Sequence, residues 1–534
     1  MPGWNFADAF EVVAEALADA TAQVHGDRRI SWRDFDRRSD GVALALLEAG
    51  AEQQAKVALY LHNGPEYMEA CTGAWKAGLV PVNTNYRYTA DELAYLWDNA
   101  DAVAVVFHGT FSATADAVRD RVPVRTWLWV DDGTGPCPDW ATPYETAADL
   151  AAERTVAHWG RDGDDLLMLY TGGTTGMPKG VMWRQDDLFR AYAHAVAPHY
   201  GAAPDLDAMR RSLSGPGPVH LPACPLMHGT GWFTALMTLM TGGCVVTLTG
   251  RTFDAVELLD TVDREGVNTM AIVGDAFAKP MLRALDAEPD RWDLSSLIAI
   301  ISSGVMWSEA SKEALLAHHP NMVLQDAFSS SEALNMGASI SSGGSAAATA
   351  TFTLGPNAIV VREDGTPVEP GSGEIGRVAV GGFVPVGYYK DPEKSAATFI
   401  EIDGKRYSMP GDYAMVEADG SLTLLGRGSV CINTGGEKVF PEEVEEALKS
   451  HPAIHDAVAV GVSDEKFGEA VTAVVEPDLD ALIDEAEVIA HVKQTLAAYK
   501  APKRVLSIDT IGRGPNGKVD YKAMRAYAEA RVNG

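Results

Sequence analysis

The chain has 534 residues, 46% hydrophobic and 22% charged; one core stops growing at roughly 250–300 residues, so at least two domains are expected and a disordered or fibrous chain is excluded. A formal charge of −31 excludes the basic footprint of a nucleic-acid binder, yet leaves room for local N–H donors and a few Lys or Arg to hold phosphate. The cysteines (Cys71, Cys137, Cys224, Cys244 and Cys431) are odd in number and never at CxxC spacing, which speaks against a disulfide framework or zinc site and fits a reducing cytoplasm.

The first residues, Met1 to Glu11, hold no basic stretch before an apolar run, so no secretory signal is expected. Lys56–Leu61 reads as a strand, Glu66–Ala77 as a helix, and Ala102–Phe107 and Thr126–Val130 as further strands. Leu166–Tyr170 is another apolar strand candidate. The most apolar long segment, Leu226–Leu248, is interrupted by His228 and by glycines 229, 231, 242 and 243. It predicts a buried helix, a Gly-Gly turn and the strand Cys244–Leu248 rather than a membrane span, which needs about 20 predominantly apolar residues. Leu297–Ser302 predicts a strand and Ser308–His318 a helix. This alternation predicts an α/β chain whose large N-terminal domain has stacked, mostly parallel sheets. Gly337–Ala350, rich in Gly, Ser and Ala, reads as a flexible surface loop.

From Asp419 the texture changes. A turn at Asp419-Gly420 leads into the strand Leu422–Leu425 and then Gly426-Arg427-Gly428-Ser429. Beyond lie helices at Pro441–Lys449 and Glu487–Tyr499 and strands at Ala457–Val462 and Val471–Val475. These are the parts of a small α+β domain, with Pro441 and the glutamates after it suited to a helix start. The expected division is 1–427 and 428–534, with a hinge near 427–430 and no internal repeat.

The most informative segment runs Tyr170-Thr171-Gly172-Gly173-Thr174-Thr175-Gly176-Met177-Pro178-Lys179-Gly180. Its glycines allow backbone to approach a ligand closely, its threonines add hydroxyl donors, and Lys179 adds a charge, a set suited to polyphosphate. It is neither a Walker A loop nor GxGxxG. The segment resembles the phosphate loop of the adenylate-forming enzymes, which include acyl-CoA synthetases, nonribosomal adenylation domains and beetle luciferase, and further motifs of that family follow in order along nearly the whole chain. The resemblance implies that Thr171, Gly172, Gly173, Thr174, Thr175, Gly176 and Lys179 bind nucleotide.

Leu221-Pro222-Ala223-Cys224-Pro225-Leu226-Met227-His228-Gly229 looks like the family's substrate-side motif, with His228 beside the acid's carboxylate; alone it reads rather as a core histidine. Trp232 and Phe233 are either tunnel wall or plain core. Gly274 and Asp275 join the expected acyl pocket with Met227, Val273 and Gly304, Asp275 marking a polar substrate or a capped helix start. Ser302-Ser303-Gly304-Val305 looks like the adenine-side turn, with Ser303 and Gly304 on the nucleotide. Gln325-Asp326-Ala327-Phe328-Ser329-Ser330-Ser331-Glu332 matches the motif usually written Tyr-Gly-x-Thr-Glu. By resemblance Asp326 and Ala327 line the adenine, Phe328 stacks on it, Ser331 bonds the α-phosphate, and Glu332, with Thr174, holds Mg²⁺; alone, the string SSSE reads as a helix cap. Ser329 departs from the family's glycine.

Gly387-Tyr388-Tyr389-Lys390-Asp391 matches a landmark of mainly structural role. Pro410-Gly411-Asp412-Tyr413 matches the Thr-Gly-Asp motif, Asp412 accepting from ribose hydroxyls, and Arg427 would bind ribose or phosphate. Asn433-Thr434-Gly435-Gly436-Glu437-Lys438 matches the segment relatives use for thiol transfer, placing Gly435, Gly436 and Glu437 on CoA. Gly514-Pro515-Asn516-Gly517-Lys518-Val519 matches the motif carrying the adenylation lysine; alone, Lys518 is a solvated turn lysine.

The resemblance thus implies a ligase that uses ATP, Mg²⁺ and CoA to make acyl-AMP and pyrophosphate, then acyl-CoA and AMP, with Lys518, Glu332, His228 and Thr174 as catalytic groups. Rotation of the small domain would exchange Lys518 for Gly435-Gly436 between the steps. Gly180–Arg184, Tyr407–Tyr413 and Gly428–Lys438 look closest to actinobacterial ligases of fatty acids and sterol side chains. A medium-to-long, branched or steroid side-chain acid is therefore expected; the alternatives are a small aromatic acid, delivery to a separate carrier protein, or a silent binding protein on the same scaffold. A homodimer is the assembly many relatives adopt.

Overall fold

The computed structural model describes residues 3–171, 177–192, 205–434, 437–464, 468–479, 481–514 and 517–532. Gly172, Gly173, Thr174, Thr175 and Gly176, and likewise Gly435, Gly436, Pro515 and Asn516, lie outside the described residues.

Helices and strands alternate through the first part of the chain, as the apolar runs predict. The strands Lys56–Tyr60, Val80–Asn83, Ala102–His108, Thr126–Val130 and Leu166–Thr171 pair in parallel within one sheet. They are continuous apolar runs because helices cover both faces; Val57, Ala58 and Leu59 are all fully buried. The antiparallel strand Lys179–Arg184 returns along Leu166–Thr171 and is flanked by Gly387–Tyr388.

A second, larger sheet carries the parallel strands Cys244–Thr247, Val219–Pro222, Thr269–Ile272, Ala299–Ser303 and Val323–Phe328 in that spatial order. Two of its helices start with side-chain caps: Asp254 accepts from Val256 and Glu257 N–H, and Ser308 from Ser311 N–H, each satisfying a donor the helix cannot. Leu226–Leu248 resolves as expected into the helix Gly229–Met240, a Gly242-Gly243 turn and the strand Cys244–Thr247. Among the described residues no helix is long and apolar enough to cross a membrane.

From Gly337 on, this sheet continues antiparallel. Gly337–Ser341 pairs with Val323–Phe328 on one side and Thr351–Leu354 on the other, which corrects the expected flexible loop over its first part. A Cβ on Gly337 would sit 3.0 Å from Thr353 O and from Phe352 Cβ, so the small residues that look like a linker are what lets three strands close up.

The large sheet's strand Ser421–Arg427 is followed by a short turn, and the small sheet begins at Ile432. That sheet centres on the hairpin Ile454–Asp464 and Gly468–Pro477, and the helices Pro441–Lys449 and Glu485–Thr495 pack on it around a separate apolar cluster including Val444, Leu448, Ala473 and Val488. It docks on the large part through few contacts: Glu442 Oε1 accepts from Arg427 N–H at 3.3 Å, and Lys279 Nζ donates to His455 O at 3.1 Å.

Candidate active site

Four parallel strands of the large sheet, Val219–Pro222, Thr269–Ile272, Ala299–Ser303 and Val323–Phe328, are followed by segments that open on one cavity of about 1290 Å³. Carboxyl ends of parallel strands are where α/β sheets bind ligands, and this volume exceeds the roughly 300–1,000 Å³ of a single small-molecule pocket. Leu169, Tyr170 and Thr171 of the other sheet form the facing wall, and Glu442, Arg513 and Lys518 reach in from the small domain.

Of the residues picked out from sequence, Thr171, Lys179, His228, Phe233, Asp275, Ser303, Gly304, Asp326, Ala327, Phe328, Ser331, Glu332, Asp412, Arg427 and Lys518 all line this cavity. Asp412 is buried and accepts from Arg427 Nε at 3.2 Å, while its Oδ2 has no partner. A buried acceptor without a donor is costly, and a ribose hydroxyl is a donor of the right kind. Burial raises the Asp412 carboxyl, with Arg427 pulling the other way. Burial pushes Asp326 up to about 7, opposed by the charge of Lys312. Phe328 stands beside Phe352, ring centroids 5.4 Å apart. Ser329 replaces the family's glycine without strain: its φ is not positive, and its hydroxyl accepts from Asn335 N–H at 3.1 Å.

Lys518 projects into the cavity, open to that space but enclosed by protein. Burial lowers its pKa, as does Arg427, against the attraction of Glu332 and Asp412. Glu332 presents a single carboxylate here, and among the described residues no cluster of three or more His, Cys, Asp or Glu side chains could hold a metal. A hard cation bound here therefore needs substrate phosphates for most of its oxygens, which is how Mg²⁺ is commonly held.

On the acid side, His228 is the residue before the helix Gly229–Met240, so the helix's positive end faces the same space. Burial pushes the imidazole down to about 3, with Lys518 and Arg87 adding to the effect, and Nε2 is buried without a partner; His228 is therefore a neutral group at working pH. Phe233, Thr234 and Met237 line the cavity, and the Thr234 hydroxyl donates to Thr230 O at 2.7 Å. That hydroxyl is satisfied inside the helix and asks nothing of a ligand, so the wall behaves as apolar.

Two expected cavity positions, Trp232 and Gly274, are corrected. Trp232 does not line the cavity: it is fully buried on the other side of the helix, edge-on to Tyr67 at 5.9 Å. Gly274 stands behind the wall, its N–H donating to Ser302 Oγ at 2.9 Å. A Cβ there would lie 2.6 Å from Met306 O, at φ +51°. Asp275 is a helix-start clamp, accepting from Ser308 N–H and Oγ at 3.2 and 3.0 Å, although its Oδ2 remains buried without a partner. Lys179 lines the cavity and pairs there with Asp391. Glu437 lies on the edge strand of the small sheet, exposed and away from the cavity.

Sequence reasoning missed Asn83. It is 2% exposed, donates to Tyr170 O at 2.9 Å and Met227 O at 2.7 Å, and accepts from Tyr170 N–H at 2.6 Å. One amide thus sets the strand end at Thr171 against the segment before His228. Only its place at the end of a buried strand hinted at it. Asn83→Ala should cost about 1–3 kcal/mol in urea unfolding, because a buried N–H loses its acceptor, and should lower turnover beyond what that loss explains.

Residues 10–389 match the AMP-binding enzyme model and residues 443–518 that of the AMP-binding enzyme C-terminal domain. The chain is 39% identical to a medium/long-chain-fatty-acid–CoA/3-oxocholest-4-en-26-oate–CoA ligase of Mycobacterium marinum, over 99% of this chain and 97% of that one. It is also 39% identical to a 3-oxocholest-4-en-26-oate–CoA ligase of Rhodococcus rhodochrous, over 97% and 95%. The crystal structure of an anthranilate CoA ligase in complex with anthranoyl-AMP superposes with a TM-score of 0.84 at 20% identity, covering 100% of this chain and 99% of that one, a likeness of fold. With the motifs in order, a cavity gathering them and both models matched, the chain belongs to the AMP-binding enzyme family.

Proposed function

We propose that the chain is an ATP-dependent carboxylic acid–CoA ligase, forming acyl-AMP and pyrophosphate and then acyl-CoA and AMP, with a medium- or long-chain, branched or steroid side-chain acid as substrate. One observation carries the reading: Lys518, from near the C-terminus, shares a cavity with Glu332, Asp412, Arg427 and His228. Attack of a carboxylate on the α-phosphate brings two anions together. Lys518 and the positive end of the helix Gly229–Met240 offset that repulsion. Asp412 and Arg427 hold the ribose and its phosphate. Glu332, together with the substrate phosphates, would hold Mg²⁺, which would supply further charge neutralisation. Neutral His228 borders the carboxylate without adding a charge.

The names of the relatives support a lipid-derived acid, as does a wall of Leu169, Tyr192, Phe233, Met237 and Leu334. A panel of medium- and long-chain, branched, steroid side-chain and aromatic acids with ATP, Mg²⁺ and CoA tests the reading, with AMP and thioester measured together. Preference for the aromatic acids would move the assignment to a small-acid ligase. AMP without acyl-CoA would point to a carrier protein as acceptor. Release of ADP and phosphate would end the reading.

In the second step the small domain turns away about residues 427–430, removing Lys518. Glu442 makes the docked state sensitive to pH. Burial, with Glu445 nearby, pushes its carboxyl from 4.5 up to about 8. Such a group favours docking fully below 4.5, and the preference is lost as pH rises towards about 8. Distance between dyes on the two domains should therefore lengthen over that window, and Glu442→Gln should flatten the dependence.

A further inference from the structure

Two paired strands, Lys179–Arg184 and Gly387–Tyr388, grip residues 331 and 332 through one side chain each. Trp183 Nε1 donates to Ser331 O at 2.9 Å. Tyr388, on the short strand Gly387–Tyr388 that pairs with Met182 and Val181, donates its hydroxyl to Glu332 Oε1 at 2.9 Å. The phenol has little freedom: Tyr388 is 6% exposed, its ring packs on Phe399 at 5.8 Å, and its N–H donates to Ser395 Oγ at 2.8 Å. Both Arg427 and Lys518 feel the charge of Glu332, so an untethered carboxylate would be drawn to either cation.

We propose that Tyr388 is the positioning residue for Glu332: by occupying Oε1 it keeps the carboxylate off the neighbouring cations and leaves Oε2 for the divalent ion that arrives with ATP. This rests on the metal-binding role proposed for Glu332. Hydrogen bonds that orient a metal's ligand are worth about 10–100-fold in metal affinity, and the role differs from the packing role a landmark tyrosine suggests.

The test uses the full chain, Mn²⁺ and α,β-methylene-ATP, with bound Mn²⁺ read by electron paramagnetic resonance and metal-free AMP binding measured by calorimetry. Tyr388→Phe removes one hydroxyl and should weaken Mn²⁺ binding about 10–100-fold while leaving AMP binding unchanged. Glu332→Gln should show a comparable loss, and the double variant little more, as coupled residues do. Loss of AMP binding in Tyr388→Phe would make the tyrosine a packing residue and overturn the inference. Normal Mn²⁺ binding in Tyr388→Phe with a loss in Glu332→Gln would overturn it alone. Normal binding in both would remove the metal role of Glu332, and the inference with it.

Discussion

Lys518→Ala should cut acid-dependent ATP–pyrophosphate exchange by about 100- to 1,000-fold, the usual loss when one preorganised electrostatic donor is removed, and largely spare thioester formation from supplied acyl-AMP. The asymmetry follows from where charge develops. In the first half-reaction a carboxylate approaches phosphate and pyrophosphate departs, and the ammonium stands in the cavity with Glu332 and Asp412 as its attractive neighbours. In the second, pyrophosphate has gone, and a thiol attacks a mixed anhydride that needs no cation at that place. Equal loss in both half-reactions would sink the exchange of the lysine between steps.

The second large effect is expected from Gly426→Ala. Gly426 sits at φ +128°, and an added Cβ would lie 2.1 Å from Glu442 Oε2 and 2.4 Å from its Cδ. No real Cβ tolerates that approach, so the Glu442 carboxylate, at the start of the helix Pro441–Lys449, must swing aside. Its Oε1 accepts from Arg427 N–H, and Arg427 in turn holds Asp412, so displacement reaches the ribose-side pair directly. Backbone strain at that φ adds about 1–3 kcal/mol. Acyl-AMP formation should fall, with protease cleavage between the domains accelerated as the Glu442–Arg427 contact is lost. Glu442→Ala in the same chain should restore part of the activity by removing the clash. A double variant as impaired as the single one would show that strain in the strand, and not the docking contact, is responsible.

Glu332, Asp412, Arg427 and Lys518 were legible through resemblance to family motifs that follow in order along the chain; alone, the Glu332 string reads as a helix cap and Lys518 as a turn lysine. The cavity collects all four. Strands such as Lys56–Tyr60 were legible for a different reason: burial on both faces demands an unbroken apolar run. Gly337–Ser341 was not, because its alternating small residues carry no strand signature until neighbours on both sides supply hydrogen bonds. Trp232 was misplaced because the helix Gly229–Met240 is apolar nearly all round, so its pattern does not say which face meets the cavity. Lys179 finds Asp391 from 212 positions away and Tyr388 finds Glu332 from 56, separations over which local pattern is silent.

By itself, then, the order of residues determined the family resemblance, through a glycine–threonine segment and the motifs carrying Glu332, Asp412, Arg427 and Lys518. Only the tertiary structure decided which face of the helix Gly229–Met240 lines the cavity, that Asn83 ties Tyr170 to Met227, that Glu442 closes on a glycine, and that Tyr388 bonds Glu332. Those depend on contacts between segments far apart in the chain, whose geometry is set by how sheets and helices pack together, and no local pattern encodes that.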